Sequence, residues 1–302
     1  MATERIRTAR VSGTFAYPDD GGPFPAVVAL GGSDGGTPEY FANLLVPEGF
    51  VVFALIYWGT PETQLNMAEI PLERVEDALH WLCSRPNVKP SHGRVGLVGA
   101  SRGGELSLLA ASMFPELVGP VVAYTPSGVV WMGVDFAAPG RVCSSWSRHG
   151  ASVPYVPFSH DVIPSQTEHG ISMRPLFESS LQNTAAVERA SIAIERATGP
   201  LMLVSGGDDQ VWPTGRMCEA VVERMTAHGR ARDVVHRHYP RAGHMLFPYS
   251  PPPDVKPPPF PIALGGTAEA DAEAHASVWP EVLKHLRGDS RLHDRGSADA
   301  ER

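Results

Sequence analysis

An apolar run, Val95-Gly96-Leu97-Val98, ends in the pentapeptide Gly99-Ala100-Ser101-Arg102-Gly103 and leads into a helix-like stretch. A serine in such a strand-to-helix turn sits on a strained backbone that exposes its hydroxyl above the sheet. Glycines at 99 and 103 leave room where the strand and the following helix nearly touch. A serine hydroxyl becomes an effective nucleophile when a base lies beside it. Ser101 is therefore predicted to be a nucleophile.

Two downstream segments offer the acid and the base that this nucleophile needs. One apolar run ends shortly before Asp208 and Asp209, and the alternating run Val234–Tyr239 ends shortly before His244. The order serine, aspartate, histidine is that of α/β-hydrolases and differs from two other common serine-hydrolase orders. His244 is predicted to be the general base and Asp209 the carboxylate that orients it. Asp209 is preferred over Asp208 because the acid falls there in the Gly-x-x-Asp spacing that begins at Gly206.

The tetrahedral intermediate of acyl transfer carries an oxyanion, which backbone N–H donors must stabilise. One donor is predicted to be the N–H of Arg102, the residue after the nucleophile. The second is predicted in the glycine-rich loop 31–36, where Gly32 and Ser33 are the candidates. Two interpretations of the Arg102 side chain stay open: contact with an anionic part of a substrate, or a salt bridge on the helix surface.

Strand and helix patterns alternate along the chain, which is typical of a mostly parallel sheet with helices on both faces. Several predicted strands are continuously apolar, as expected for strands buried on both sides. The predicted fold is therefore the α/β class, an α/β-hydrolase with an irregular insertion. Strands are predicted at 26–30, 50–55, 95–98, 118–123, 201–204 and 234–239, and helices at 38–46, 72–83, 214–228, 268–286 and directly after the nucleophile.

Two regions interrupt the alternation. Residues 127–185 are rich in Gly, Pro, Ser and aromatic residues and are predicted to be an insertion or cap over the strand ends. The proline-dense stretch 248–261 is predicted to be a stiff, extended loop, either a surface connector or a wall of the site. Residues 1–290 are predicted to form a single domain, and 291–302 a disordered tail.

Composition narrows the class of protein. The formal net charge of −8 argues against binding nucleic acid or an anionic membrane through a basic face. The first residues lack the apolar segment of a signal peptide, and no apolar run approaches the ~20 residues of a membrane span. The three cysteines follow no metal-ligand pattern. We expect a cytoplasmic protein without a metal, a cofactor, a nucleic-acid partner or a membrane partner.

The residues around the three predicted catalytic turns also match a particular family. The segments Ser-Arg-Gly-Gly-Glu-Leu at 101–106, Asp-Asp-Gln-Val-Trp-Pro at 208–213 and Tyr-Pro-Arg-Ala-Gly-His at 239–244 resemble the catalytic domain of the acyl-CoA thioesterase/bile acid-CoA:amino acid N-acyltransferase family. Leu264-Gly265-Gly266 resembles its late glycine pair. The resemblance implies acyl transfer from a thioester through a covalent acyl-enzyme.

The resemblance also bears on the acceptor and on the pocket. The N-acyltransferases of the family characteristically use a cysteine nucleophile, so serine at 101 favours hydrolysis. Animal members carry an N-terminal β-sandwich, whereas the catalytic region here begins almost at once. Pocket walls are therefore expected from 127–185 or from a second subunit of a homo-oligomer.

The sequence thus predicts a serine hydrolase that cleaves small-molecule acyl thioesters or esters through an acyl-Ser101 intermediate. One alternative is an acyltransferase that passes the acyl group to an amine or alcohol. A second alternative is a non-catalytic, hydrolase-like binding protein. A dienelactone-hydrolase-like or peptidase-like specificity also stays open, because one fold serves many chemistries.

Overall fold

A computed structural model describes residues 1–90, 93–135, 137–138, 140–253 and 261–288. In chain order its strands are β1 (Ala2–Arg7), β2 (Ser12–Tyr17), β3 (Ala26–Leu30), β4 (Val51–Leu55), β5 (Ile70–Pro71), β6 (Val95–Ala100), β7 (Val118–Tyr124), β8 (Trp146–Arg148), β9 (Ala151–Ser152), β10 (Ser165–Thr167), β11 (Gly170–Ser172), β12 (Leu201–Gly206) and β13 (Val234–Tyr239). Its helices are α1 (Glu39–Leu45), α2 (Glu73–Cys83), α3 (Arg102–Met113), α4 (Arg174–Ser180), α5 (Thr184–Ala190), α6 (Thr214–Ala227) and α7 (Ala268–Leu286), with 3₁₀ turns at Ile194–Arg196 and Ala231–Asp233.

Within the described residues, eight strands form one sheet in the order β1-β2-β4-β3-β6-β7-β12-β13. Strand β2 pairs antiparallel with both β1 and β4, and every neighbouring pair from β4 to β13 is parallel. The carboxyl ends of these parallel strands lie at one edge of the sheet, where ligands of such folds bind. The predicted α/β class with a mostly parallel sheet is confirmed.

Helices cover both faces of this sheet, because alternate residues of each buried strand point to opposite faces. In β3, Val28 and Leu30 join the apolar cluster that contains α2, α3 and α6. Val27 and Ala29 join the cluster that contains α1 and α7. Both faces of the central strands are thus buried, which explains the continuous apolar runs in the sequence.

The ends of several elements agree with the sequence prediction. Strands β3 and β13 and helix α7 have the predicted bounds at both ends. The β1–β2 hairpin was not predicted. Strand β1 lies at the edge of the sheet and is largely exposed, with only Ala2 and Ile6 partly buried, so it lacks an apolar pattern.

The predicted insertion at 127–185 contains regular elements: α4, the β10–β11 hairpin, and strands β8 and β9, which form a small sheet with β5. It also contributes to an apolar cluster that reaches α6 and the segment 207–213 between β12 and α6, here named the acid loop. The cluster is formed by Val129, Trp131, Val156, Phe177, Ala190, Trp212 and Met217. The middle of the predicted proline-dense loop, 254–260, and the predicted tail 291–302 lie outside the described residues.

Candidate active site

Ser101 lies in the turn between β6 and α3 with its backbone at φ 55° and ψ −120°, in the left-handed region that non-glycine residues rarely adopt. A β-carbon at Gly99 would lie 2.1 Å from the carbonyl oxygen of Gly103. A β-carbon at Gly103 would lie 2.1 Å from the carbonyl oxygen of Leu30. The strained turn and the close approach expected from the two glycines are confirmed.

The Asp209 carboxylate lies next to the His244 ring, with Oδ2 2.8 Å from Nδ1. Asp209 is fully buried. Its Oδ1 accepts hydrogen bonds from the backbone N–H groups of Val211 (2.8 Å) and Trp212 (3.2 Å), and its Oδ2 also accepts from the Thr214 hydroxyl. These donors offset the cost of burying the carboxylate, which leaves it able to orient the imidazole.

Asp208 faces away from this pair. It is exposed, and its carboxylate accepts hydrogen bonds from the Gly266 N–H (2.9 Å) and the Gln210 side chain (2.9 Å). The geometry therefore distinguishes the two neighbouring aspartates, and the one that contacts His244 is Asp209.

The turn at 264–266 is hydrogen-bonded both to the acid loop and to the loop after β13 that carries His244. The Leu264 carbonyl accepts hydrogen bonds from the N–H groups of His244 (2.9 Å) and Gln210 (3.3 Å). Gly265 has φ 73°, and a β-carbon there would lie 1.7 Å from the Asp208 carbonyl oxygen. The late glycine pair thus allows one short segment to hold both loops at a fixed separation.

Ser101 and His244 both contact the carboxyl end of β7. The Ser101 N–H donates to the Tyr124 carbonyl at 2.9 Å, and the Thr125 hydroxyl donates to the His244 carbonyl at 3.2 Å. The Trp212 ring meets the His244 ring edge-on at 5.9 Å between centroids. The structure therefore brings the predicted acid Asp209 into contact with His244, and it places Ser101 at the same edge of the sheet. In the described part of the chain, no hydrogen bond joins the Ser101 hydroxyl to the imidazole.

The predicted oxyanion loop lies beside Ser101. A β-carbon on Gly32 would lie 3.3 Å from Ser101 Cβ and 3.8 Å from Ser101 Oγ. Arg102 begins α3, so its N–H belongs to the first helical turn, which lacks intrahelical acceptors. Among the described residues no oxygen accepts a hydrogen bond from the N–H groups of Gly32, Ser33 or Arg102. Gly32 is buried against the serine, whereas Ser33 is exposed.

The Arg102 side chain forms a buried salt bridge with Glu105, at 3.0 Å. Its guanidinium also donates to the Met132 carbonyl at 2.9 Å. Glu105 accepts from the Trp131 N–H (3.2 Å) and the Trp146 indole (2.7 Å). Burial raises the pKa of Glu105, and the Arg102 guanidinium opposes that rise. The prediction of a helix-surface salt bridge was wrong in location, because the predicted insertion covers the pair.

Three contributors to the site were not predicted from the sequence. Thr214 donates to the Asp209 carboxylate, and Arg174 donates to the Asp209 carbonyl at 3.1 Å. Asp271 accepts from the Gly243 N–H at 2.7 Å, next to the histidine. Burial raises the pKa of Asp271, and its neighbours include Asp208 and Asp209. No local pattern marks these residues, because each acts through a contact made only after folding.

Comparisons with known proteins identify the family of this chain. A family model described as BAAT / Acyl-CoA thioester hydrolase C terminal matches residues 70–289. Human acyl-coenzyme A thioesterase 1 and human mitochondrial acyl-coenzyme A thioesterase 2 are each 31% identical to the chain, over 94% of its length. The alignments cover 66% and 57% of those relatives, so the chain spans less than two thirds of their length.

Solved structures share the fold at lower sequence identity. A dienelactone hydrolase-like promiscuous phosphotriesterase from metagenomic libraries has a TM-score of 0.55 at 15% identity, covering 95% of this chain and 98% of its own. The monoacylglycerol lipase of Paleococcus ferrophilus has a TM-score of 0.51 at 17% identity, covering 96% and 100%. These similarities establish the α/β-hydrolase fold.

No helix in the described ranges combines the length and the apolar character that crossing a bilayer requires. The cytoplasmic location expected from the sequence stays a prediction.

Proposed function

Because this chain belongs to the BAAT / Acyl-CoA thioester hydrolase C terminal family, we propose that it is a serine hydrolase that cleaves acyl thioesters or esters through a covalent acyl-Ser101 intermediate. The observation that carries the proposal is the buried hydrogen bond between Asp209 and His244, formed at the sheet edge where Ser101 follows β6. Beside a serine on a strained turn, an imidazole oriented by a buried carboxylate can act as the general base that activates the hydroxyl.

In the proposed acylation step, His244 removes the proton from the Ser101 hydroxyl as the oxygen attacks the carbonyl carbon. Asp209 holds the Nδ1–H and stabilises the imidazolium that forms. The carbonyl oxygen becomes an oxyanion, which accepts hydrogen bonds from the N–H of Arg102 and from that of Gly32 or Ser33. Collapse of this intermediate breaks the bond to sulfur or oxygen, and His244 protonates the leaving group.

Deacylation repeats the sequence with water as the nucleophile. His244 takes a proton from the water as its oxygen attacks the acyl carbon, and the same N–H groups stabilise the second oxyanion. When the bond to Ser101 breaks, His244 returns the proton to the serine oxygen. The products are the free acid and the thiol or alcohol, and the enzyme is regenerated.

We propose that residues 1–290 act as one domain in which 127–185 caps the site. The apolar cluster around Trp131 and Trp212 supports this role, since it packs the insertion directly against the acid loop. The bond from Arg102 to the Met132 carbonyl supports it as well, because it ties the insertion to the helix that follows the nucleophile. The substrate is proposed to be a small-molecule acyl thioester or ester, whose pocket this cap helps to form.

The Ser101→Ala variant tests the proposed function. We expect it to fold like the wild type and to lose hydrolysis of an acyl-CoA panel and of p-nitrophenyl esters by about 10³-fold or more. It should also lose labelling by a fluorophosphonate probe. The Ser84→Ala variant is the control, because Ser84 is an exposed serine at the end of α2. Substantial hydrolysis by the Ser101→Ala variant would refute the proposal.

The acceptor is tested by product analysis. Turnover of an acyl-CoA in the presence of candidate amines should yield only free acid at saturating amine, in keeping with a serine nucleophile. Formation of an amide in place of the acid would identify a transferase. Intact-protein mass spectrometry after brief exposure to the acyl-CoA should reveal an adduct of the mass of the acyl group, absent in the Ser101→Ala variant.

A further inference from the structure

Two aromatic residues that follow β4 hold the predicted oxyanion loop through its carbonyl groups. The Tyr57 hydroxyl donates to the Gly31 carbonyl. The indole N–H of Trp58 donates to the Gly32 carbonyl at 3.4 Å, and the Trp58 carbonyl accepts from the Gly36 N–H at 3.0 Å. The loop is thus attached to residues 57 and 58 at both of its ends.

These bonds determine where the loop directs its N–H groups. The Gly31–Gly32 and Gly32–Ser33 peptides are trans, and in a trans peptide the C=O and the N–H point in opposite directions. Fixing the carbonyls of Gly31 and Gly32 toward the aromatic pair therefore directs the N–H groups of Gly32 and Ser33 away from it. The nucleophile Ser101 packs against Gly32.

The surroundings of the two aromatic side chains suit them to this role. Tyr57 is 2% exposed and Trp58 is 5% exposed, so water does not compete for their donors. The Tyr57 ring packs against Trp146 at 5.9 Å between centroids. Burial raises the pKa of Tyr57 far above its ordinary value, so its hydroxyl stays neutral and keeps its proton.

We propose that Tyr57 and Trp58 are positioning residues of the oxyanion hole, which aim the N–H groups of Gly32 and Ser33 at the oxygen that becomes negatively charged. They act through the loop and do not touch the substrate. Donors that are oriented before the reaction need no reorganisation as charge develops, and this is the source of their effect on rate. The inference rests on the proposed function, since an oxyanion forms only if Ser101 attacks a carbonyl.

The Tyr57→Phe variant tests the inference, because it removes one hydroxyl and keeps the ring that packs on Trp146. We expect kcat for a p-nitrophenyl ester to fall about 10- to 100-fold, less than the 10²- to 10³-fold typical of deleting a donor. KM should stay within about threefold of the wild type, since the substrate carbonyl carries little charge before attack. Affinity for a trifluoromethyl ketone, which forms a hemiketal oxyanion on the serine, should weaken by the same factor as kcat.

Two further variants keep the result interpretable. Trp58→Phe removes the indole donor together with part of the ring, and it should lower kcat in the same way but less, because its bond is longer than ordinary N–H···O bonds. Tyr17→Phe is the matched control: its hydroxyl donates to Glu4 at 2.6 Å, on a strand that runs antiparallel to the central ones, and its loss should leave kcat unchanged.

The outcomes separate the inference from the proposed function. If the wild type reacts with a fluorophosphonate at Ser101 while Tyr57→Phe keeps its kcat and its affinity for the ketone, the inference is overturned and the function stands. A loss that appears as a raised KM with unchanged affinity for the ketone would also overturn it, because that pattern reports substrate binding. A wild type that shows neither labelling nor hydrolysis would overturn both.

Discussion

His244 Nδ1 lies 2.8 Å from Asp209 Oδ2, although 35 residues separate the two along the chain. Neighbouring parallel strands β12 and β13 produce this contact, because their carboxyl ends lie side by side. The two side chains therefore meet through sheet pairing and need no long, flexible connection. A consequence is that the two adjacent aspartates at this strand end have different neighbours and should respond differently to substitution.

The Asp209→Asn variant should lower kcat for ester or thioester hydrolysis by about 10³- to 10⁴-fold. An amide in place of the carboxylate no longer stabilises the imidazolium and favours the wrong tautomer of the ring. The Asp208→Asn variant is the control. Its amide oxygen still accepts from the Gly266 N–H, so its kcat should stay within about threefold of the wild type. Equal losses in the two variants would contradict the assignment of Asp209.

Replacing one member of the buried Arg102–Glu105 pair should strongly lower the free energy of unfolding. The Arg102→Met variant leaves the Glu105 carboxylate buried without its cation, which should lower the free energy of unfolding by about 3–5 kcal/mol. Glu105→Gln should cost a similar amount, because it leaves the guanidinium unpaired. The double variant should lose at least about 1 kcal/mol less than the sum of the two single losses. Urea unfolding of all four proteins measures this coupling.

A surface pair provides the comparison for that experiment. Arg141 lies 3.1 Å from Asp135 but its side chain is 50% exposed. The Arg141→Met variant should therefore lower the free energy of unfolding much less than Arg102→Met does. If Arg102→Met costs no more than Arg141→Met, the buried pair contributes nothing beyond an ordinary surface contact.

His285 should make folding sensitive to acid. It is fully buried in α7, its Nε2–H donates to the Val121 and Pro200 carbonyls (3.0 and 3.1 Å), and burial lowers its pKa to about 4. In the unfolded chain a histidine has a pKa near ~6.5, so from about pH 6.5 down to about pH 4 the unfolded state binds a proton that the folded state excludes. The free energy of unfolding is therefore highest above this range and falls as the pH falls through it, by about 2–3 kcal/mol at a pH of about 4.5.

The His285→Gln variant keeps an N–H donor but does not titrate. The loss of unfolding free energy between about pH 7 and about pH 4.5 should be smaller in this variant than in the wild type by about 2–3 kcal/mol. His236, whose pKa burial also lowers to about 4, titrates equally in both proteins. His169→Gln, at an exposed histidine, should show the wild-type pH dependence. An unchanged pH dependence in His285→Gln would show that His285 does not carry this linkage.

Patterns within short segments predicted those parts of the molecule in which the type of each residue depends on its local burial or steric room. The apolar runs at β3 and β13 predicted those strands, because burial on the sheet selects residue types along a short segment. The glycines at 99 and 103 predicted the turn at Ser101, because their contacts leave no space for a side chain. The spacing from Gly206 indicated Asp209 as the acid, and the structure places that carboxylate against His244.

Other features depended on contacts between distant parts of the chain. The Arg102 side chain reads as a surface group from the sequence, yet the insertion that contains Met132 buries it. Thr214 and Tyr57 carry no signal of their own, since their roles come from the Asp209 and Gly31 oxygens that they meet after folding. The strand β1 was missed because an exposed edge strand needs no apolar pattern.

The amino-acid sequence alone therefore determined the six parallel strands with most of the helices between them, the turn at Ser101 and the kind of chemistry to expect. Each of these follows from neighbouring residues, through propensity, periodicity and steric room. Only the tertiary structure decided which charges are buried, which donors hold the Asp209 carboxylate, and which side chains orient the loop beside Ser101. Those outcomes depend on contacts between segments that are far apart in the sequence, and such contacts leave no local pattern in it.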